Sequence, residues 1–182
     1  MKVENKKINE MVFIRNHLPV RIRIVKLLSE EAAEELEIPN RAAGSELELA
    51  WWKVKILLDE GQAKLADTEN IDEAYIQKKV WSEKSKTQLE ELDKAFYLKV
   101  AYSLSKLKTE NKINPSPILI QKIESIEVPL NDLLSSRIGK ILKIAYRGAP
   151  PKILEGLTYE EKWLYEHVHQ TIKIWLEKTL GD

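Results

Sequence analysis

The sequence LELAWWKVKILLDEG, residues 47–61, changes from a strand-like pattern to a helical one within a few residues. It places two tryptophans, Trp51 and Trp52, next to each other where the helical pattern begins. Neighbouring helical residues point about 100° apart, so a single core-facing stripe cannot hold both indole rings. The pattern predicts a helix with two apolar faces that ends at Gly61, a glycine in the position just after the helix.

A helical wheel divides the apolar residues of this helix into two arcs. One arc holds Leu47, Ala50, Trp51, Val54, Leu57 and Leu58, and the other holds Leu49, Trp52 and Ile56. One face is expected to pack within the protein. The second face is covered either by another part of the same chain or by a separate subunit. The candidate residues for a subunit or domain interface are Trp51, Trp52, Val54 and Leu58.

The residues before this helix show the period of two that is typical of β-strands. The stretch VRIRIVKL at 20–27 alternates apolar and basic residues, MVFI at 11–14 is a short apolar run, and SELEL at 45–49 alternates again. We expect the first two runs to form a hairpin through residues 17–19. A hairpin alone is marginally stable, so the third strand is needed. The pattern predicts a small β domain over residues 1–48.

Residues 49–182 follow the helical period, which predicts an α-helical bundle and an α+β fold class that is predominantly α. Polar residues at 67–70 separate the first helix from a long helical region at 71–108. The apolar period of that region stops over the polar residues 82–88. Either two helices meet at this gap, or one helix crosses open solvent.

Two more helices are predicted towards the C-terminus. Pro129 suits the first turn of a helix, where its missing N–H costs nothing. The predicted buried stripe of that helix is Leu130, Leu134, Ile138, Ile141, Leu142 and Ala145. Thr158 and Glu161 have the spacing of a capping box at the start of the last helix. The predicted buried stripe of the last helix is Leu164, Val168, Ile172, Trp175 and Leu176.

Composition limits the class of protein. The chain has 182 residues, a hydrophobic fraction of 43%, a formal net charge of +0 and no cysteine. This apolar content supports a folded core, and the lack of cysteine excludes disulfides and Cys-based metal sites. No apolar run approaches the roughly 18 residues of a membrane span. We therefore expect a cytoplasmic protein that does not act at a membrane.

Signals of catalysis are weak. His167 and His169 are two residues apart, so on a helix they point about 160° apart and do not converge on one metal ion. The glycines show no phosphate-binding pattern, and neighbouring carboxylates such as Glu160 and Glu161 do not face each other on a helix. We expect no catalytic residues, no metal and no cofactor. A small enzyme with a site built from dispersed residues stays open as an alternative, because sequence does not reveal such a site.

Four cations form a candidate basic contact face on one predicted helix. They are Arg137, Lys140, Lys143 and Arg147. The last three lie within about 60° of one another on a helical wheel. This face is either a contact for phosphates or an acidic partner, or a solvated surface whose cations favour the C-terminal end of a helix. The first interpretation makes a helical nucleic-acid-binding protein the alternative function.

Two segments, in the order in which they occur, resemble archaeal GINS subunits. The segment AGSELELAWWKVKILLDEGQAKL at 43–65 combines a glycine, an acidic–apolar strand, an aromatic-led helix and a second glycine. The segment LLSSRIGKILKIAY at 133–146 is similar to the arginine- and lysine-bearing helix late in the helical domain of the family. The resemblance is to the GINS type that carries its small β domain before the helical domain.

This resemblance implies a function in assembly rather than in catalysis. GINS proteins are non-enzymatic, and two kinds of subunit form a two-plus-two heterotetramer. The complex joins the replicative MCM helicase and a Cdc45/RecJ-like protein at the replication fork in the nucleoid. The expected partners are therefore a second GINS subunit, MCM and the Cdc45/RecJ-like protein. Direct contact with DNA stays open.

Overall fold

Three antiparallel strands organise the first part of the chain. The central strand β1 (Pro19–Ile24) pairs with β2 (Glu46–Ala50) on one side and with β3 (Ala63–Leu65) on the other. Ile22 is opposite Leu47 in one pair and Leu65 in the other. The alternation of β1 is as predicted, since Val20, Ile22 and Ile24 are buried. The prediction of strands near residues 20–27 and 45–49 is thus confirmed.

The computed structural model describes residues 2–39, 42–66 and 71–181. The polar separator predicted at 67–70 lies outside the described residues. The chain divides into two compact units, residues 1–70 and 71–182. In the part of the chain that is described, no helix combines the length and the apolar character of a membrane span.

The prediction of a strand at residues 11–14 is wrong. These residues belong to the helix α1 (Lys2–Asn16), and the ring nitrogen Nδ1 of His17 lies 2.8 Å from the Phe13 carbonyl oxygen at the end of this helix. A run of four apolar residues has no period that separates helix from strand. The third position in the sheet is instead filled by β3. A second short helix, α2 (Glu30–Glu35), is capped by the Ser29 hydroxyl, which accepts a hydrogen bond from the Ala32 N–H at 3.2 Å.

The strand β2 passes directly into the helix α3 (Trp51–Asp59). The Trp51 N–H still donates to the Leu18 carbonyl at 2.9 Å, so the helix begins while the chain is held to the segment before β1. At its end, Gly61 has φ +66°, the Gly61 N–H donates to Leu58 O at 3.2 Å, and the Gln62 N–H donates to Leu57 O at 2.9 Å. These two bonds form the Schellman motif, and the end predicted at Gly61 is confirmed.

The division between the units differs from the predicted boundary at residue 48. The helix α3 lies within the first unit and contacts all three strands. The physical reason is β3, which follows α3 and returns to pair with β1. A chain that leaves the sheet through a helix and comes back to the same sheet keeps that helix in the same unit. No strand is predicted from the sequence at residues 63–65, which are too few to show a period.

The second unit contains five helices among its described residues 71–181. They are α4 (Glu73–Ser85), α5 (Phe96–Ile113), α6 (Pro117–Arg147), α7 (Pro151–Glu155) and α8 (Tyr159–Leu176), and a π-helical turn (Glu177–Gly181) follows α8. Two helices therefore meet at the polar gap, through a connection at residues 86–95. One core cluster joins α4, α5 and the first half of α6, and another joins the second half of α6 to α8.

The prediction that a helix begins at Pro129 is wrong, because α6 begins at Pro117 and contains Pro129 in its interior. An interior proline removes one helical hydrogen bond at a cost of about 3 kcal/mol. The buried side chains of Ile126 and Leu133, one on each side of Pro129, both belong to the first core cluster. Packing on both sides of the proline thus stabilises one continuous helix where sequence signals indicate a boundary.

The predicted buried stripes of α6 and α8 are only partly correct. In α6, Ile141 and Ala145 are buried, but Ile138 and Leu142 are exposed. The buried line runs instead through Leu133, Arg137, Ile141 and Ala145. In α8, the side chain of Trp175 is 61% exposed. The predicted stripes contain apolar residues only. Because an arginine is buried as well, the observed buried line of α6 is shifted by one residue from the predicted one.

The two adjacent tryptophans have different environments, which yields a stability prediction. Trp51 is buried and Trp52 is 38% exposed. We expect Trp51→Ala to lower the free energy of unfolding by about 3–5 kcal/mol, because a large buried side chain is removed. Trp52→Ala is expected to lower it by less than about 1 kcal/mol. Urea denaturation followed by circular dichroism measures both, and equal losses would contradict the assignment.

Candidate functional site

Arg137 lies in the middle of the helical unit with a side chain that is 1% exposed. It continues the line of buried residues on α6 between Leu133 and Ile141, each four residues away. Leu133 belongs to the first core cluster and Ile141 to the second. The arginine therefore lies where the two apolar cores meet. A buried charge at such a position is strongly destabilising unless it is paired and hydrogen-bonded.

The Arg137 guanidinium is bonded to two buried carboxylates. Nη1 donates to Glu83 Oε2 of α4 at 2.8 Å, and Nη2 donates to Glu161 Oε2 of α8 at 2.8 Å, while Nε donates to Glu161 Oε1. Glu83 and Glu161 are 0% and 4% exposed. The pair with Glu161 is bidentate, which fixes the orientation of both side chains. Arg137 thus connects three helices through charged hydrogen bonds.

The same cluster holds the connection between α4 and α5. Arg137 Nη1 also donates to the Glu90 carbonyl at 2.7 Å, and the Glu90 N–H donates to Glu83 Oε2 at 2.9 Å. Lys140 Nζ lies 2.7 Å from Glu83 Oε1. The Lys140 ammonium also donates at 2.5, 2.8 and 2.9 Å to the carbonyls of Glu83, Lys86 and Gln88. A cation at the carbonyl end of a helix is favoured by the helix dipole, so Lys140 stabilises the end of α4.

Glu161 belongs to the capping box predicted at the start of α8, and that prediction is confirmed. The Thr158 N–H donates to Glu161 Oε2 at 3.0 Å, and the Glu161 N–H donates to Thr158 Oγ1 at 3.3 Å. The Tyr97 hydroxyl of α5 donates to Glu161 Oε1 at 2.7 Å. One carboxylate therefore caps α8, pairs with α6 and accepts a hydrogen bond from α5.

The protonation states in the cluster follow from these contacts. Burial by itself would raise the pKa of Glu161, but the hydrogen bonds and charge of Arg137, together with Tyr97 and Thr158, outweigh it and lower that pKa. Burial opposes the charge of Arg137, and the contacts with Glu161 and Glu83 raise its pKa all the same. Burial and the Glu161 charge raise the pKa of the Tyr97 hydroxyl. Glu161 and Arg137 are therefore both ionised at neutral pH.

The four residues of the candidate basic face differ in exposure, and two of them are turned into the protein. Arg137 is buried, which contradicts its assignment to an exposed face, and Lys140 is only 16% exposed at its side chain and bonded to α4 and the connection that follows it. Lys143 and Arg147 are exposed. The reason is that Arg137 and Lys140 both form ion pairs with Glu83, which belongs to the polar gap at residues 82–88. Two cations remain for a contact with a partner.

The candidate interface residues of α3 also differ in exposure. Trp51, Val54 and Leu58 are 5%, 0% and 4% exposed, and the exposed members of the other arc are Trp52 and Ile56 at 38% and 39%. The Lys53 ammonium lies 5.3 Å from the centre of the Trp52 ring. The two-faced helix predicted from sequence therefore has one buried face and one partly exposed face.

The histidines of α8 have local structural contacts. Nδ1 of His167 lies 2.8 Å from the Trp163 carbonyl, and Nδ1 of His169 lies 2.7 Å from the Ala145 carbonyl. Within residues 2–39, 42–66 and 71–181, no three His, Asp or Glu side chains are grouped so that they could hold a metal ion.

Glu83 and Glu161 are the residues of the cluster that sequence reasoning did not connect to Arg137. One signal for the cluster was present: an arginine falls in the line of Leu133, Ile141 and Ala145 at a spacing of four. An arginine inside an apolar stripe predicts a buried anion that pairs with it. The position of the anion depends on the packing of α4 and α8, which no spacing in the sequence defines.

The helices that build this cluster lie in the segment that matches a known protein family. The family model described as the GINS complex protein helical bundle domain, Sld5, matches residues 70–180, which include α4 to α8. The chain belongs to the GINS family. A comparison with curated protein sequences finds no match. As a GINS protein, the chain is a subunit of a DNA replication complex and assembles with other GINS subunits.

Removal of the central cation tests the cluster in this GINS subunit. We expect Arg137→Met to lower the free energy of unfolding by about 3–5 kcal/mol, because it leaves Glu161 buried and without its cation. The double variant Arg137→Met/Glu161→Gln is expected to lose less than the single variant, since Glu83 keeps Lys140 as its partner. Chemical denaturation of each full chain measures the difference. A double variant less stable than Arg137→Met would contradict this account.

Acid stability tests the ionisation of Glu161. The fold lowers the pKa of Glu161. The contribution of this carboxylate to the free energy of unfolding is therefore fully present above the pKa of an unfolded glutamate, about 4.3, and is lost as the pH falls through the lower pKa of the folded state. We expect the free energy of unfolding to fall more steeply from about pH 5 to pH 3 in the natural chain than in Glu161→Gln. Urea titrations at each pH measure the two slopes. Parallel slopes would show that Glu161 is not the responsible group.

Proposed function

We propose that this chain is the GINS subunit type that carries its β domain before its helical domain, and that it acts as a non-enzymatic scaffold of the replicative helicase. The observation that carries the proposal is the order of the two units. The sheet of β1, β2 and β3 lies within residues 1–70, and the helical bundle that matches the family follows in residues 70–180. The archaeal type described above has this order.

The proposed assembly is a two-plus-two heterotetramer with a second kind of GINS subunit. This complex would join MCM and a Cdc45/RecJ-like protein at the replication fork. Scaffolding requires surfaces rather than a reaction centre, and the charged groups of the helical unit support this assignment. Arg137, Glu83 and Glu161 bind one another in the interior, so their geometry supports bundle stability rather than contact with a substrate.

The nucleic-acid alternative receives less support from the same contacts. Of the four cations in the candidate basic face, Arg137 and Lys140 are neutralised inside the protein. Affinity for nucleic acid rises with the number of phosphates that cations neutralise. Lys143 and Arg147 alone would supply a small contact, so we propose assembly with proteins as the main function.

Affinity capture from the native host tests the proposed function. The tagged full chain is purified from its own cells, the partners are identified by mass spectrometry, and the eluted complex is sized by light scattering. We expect a second GINS subunit in equal amount, with MCM and a Cdc45/RecJ-like protein at lower yield. Recovery of the chain alone at monomer mass would contradict the proposal.

Trp52 is the candidate interface residue that is available to a second subunit. With Ile56 it forms the exposed arc of α3. We expect Trp52→Ala to weaken assembly with the second GINS subunit by about tenfold or more, because a tryptophan at a protein interface commonly contributes 2 kcal/mol or more. Size-exclusion chromatography with light scattering measures the complex. The Lys55→Ala variant, on the same helix, is the control, and equal assembly of both variants would exclude Trp52 from the contact.

A further inference from the structure

The strand β2 lies at an edge of the three-stranded sheet. Within residues 2–39 and 42–66 it has a neighbouring strand on one side only, because the order of the sheet is β2, β1, β3. The backbone N–H and C=O groups on the outer side of an edge strand can pair with another extended chain. The sequence of β2, ELELA, contains no proline, which would block such pairing.

The hydrogen bonds to β1 define which backbone groups of β2 face outward. On both sides of β2 an N–H donates across the ladder at 2.9 Å: Trp51 to the Leu18 carbonyl, and Ile24 to the Ser45 carbonyl. In an antiparallel ladder, every second residue directs both its N–H and its C=O to the same neighbour. The odd-numbered residues of β2 therefore pair with β1. Glu46 and Glu48 direct their backbone groups away from it.

The side chains of the same two residues make this edge acidic. Both Glu46 and Glu48 are exposed. The Arg23 guanidinium binds Glu46 through Oε1 alone, with Nε and Nη2 donating at 3.1 and 2.5 Å. In the described part of the chain, the Glu48 carboxylate has no ion pair or hydrogen bond. The outer edge of β2 therefore offers one carboxylate with a cation on its inner side and a second carboxylate without one.

The opposite face of β2 is apolar and incompletely covered. Leu47 and Leu49 are only half-buried. Their partners on β1, Ile22 and Val20, are 0% and 1% exposed. The apolar face of the sheet thus continues to the outer edge of β2. A further strand with apolar side chains on this face would complete the burial of the two leucines, which is favourable.

The strand β1 shows which sequence pattern pairs with β2. In the register of the sheet, arginines of β1 lie opposite the glutamates of β2, and Val20 and Ile22 lie opposite the leucines. Residues directly opposite each other share a face of the sheet, and opposite charges there are favourable. The outer edge of β2 presents the same alternation, so a strand of alternating basic and apolar residues complements it. The β2 strand of a second copy would place glutamate opposite glutamate, which is unfavourable.

We propose that the outer edge of β2 binds an extended segment of another protein in which basic and apolar residues alternate, as a fourth strand of the sheet. The backbone groups of Glu46 and Glu48 supply the main-chain hydrogen bonds, and their carboxylates bind the basic side chains. The apolar side chains of the segment pack against Leu47 and Leu49. The partner is defined by this chemistry, so the proposal goes beyond assembly with GINS subunits and does not depend on it.

Amide hydrogen exchange of the full chain, followed by nuclear magnetic resonance, tests the proposal. The probe is the synthetic peptide VRVRVRV, blocked at both ends. We expect it to slow exchange of the Glu46 and Glu48 amide protons about tenfold or more, because these protons become bonded. The amide protons of Leu47 and Leu49, which already face β1, serve as the internal control and are expected to change less. Unchanged exchange of Glu46 and Glu48 at about 1 mM peptide would overturn the proposal.

Variants separate the charge from the backbone in the same titration. We expect Glu48→Lys to raise the Kd for the peptide about tenfold or more, and Glu60→Lys, the same change at an exposed position at the end of α3, to leave it unchanged. Glu48→Pro removes an outward N–H and no bond to β1. It is expected to abolish binding while the circular dichroism of the chain is kept.

Two control peptides keep the test independent of any folding defect in these variants. VEVEVEV reverses the charge, and VRVRVRV methylated on alternate backbone nitrogens keeps the side chains but cannot complete the ladder. We expect both to bind about tenfold more weakly or worse. Equal binding of VRVRVRV and either control peptide would overturn the proposal. A dimer of the chain alone that Glu48→Pro dissociates would overturn it in favour of a second copy.

Discussion

The helical unit depends on the neutralisation of one buried cation. Arg137 lies where the two apolar clusters of the bundle meet, and the charge cannot stay there without its partners. Glu83 from α4 and Glu161 from α8 supply them. These bonds fix how three helices meet along α6. Because an unpaired arginine or carboxylate in the interior is strongly destabilising, arrangements of the helices that separate these residues are disfavoured.

The same neutralisation changes which surface is available for function. A row of four cations on a helix suggests a site for phosphates, but two of the four bind anions and carbonyl groups inside the bundle. What remains outside on α6 includes three exposed apolar residues, Ile138, Leu142 and Tyr146, and two exposed cations, Lys143 and Arg147. Exposed apolar residues of this kind occur at contacts between subunits, whose centres are depleted of charge. The interior pairing thus favours assembly over nucleic-acid binding.

The N-terminal unit is built on a different constraint, the return of the chain to its sheet. After α3, the strand β3 pairs with β1, and this pairing keeps α3 and its buried Trp51 in the first unit. The two adjacent tryptophans are accounted for in the same way. Trp51 is a core residue of the unit, and Trp52 points about 100° away from it, on the partly exposed side of the helix.

The sequence by itself determined the α+β class, the strands β1 and β2, the two-faced helix, its end at Gly61 and the capping box of α8, because these depend on local periodicity and local hydrogen bonds. Tertiary structure decided the rest. Residues 11–14 joined a helix, Pro129 stayed inside α6, and the buried line of α6 moved by one position. The carboxylates that neutralise Arg137 come from 54 residues before it and 24 residues after it. No local pattern encodes such pairings, because they form only when packing brings distant helices together and excludes water from their charges.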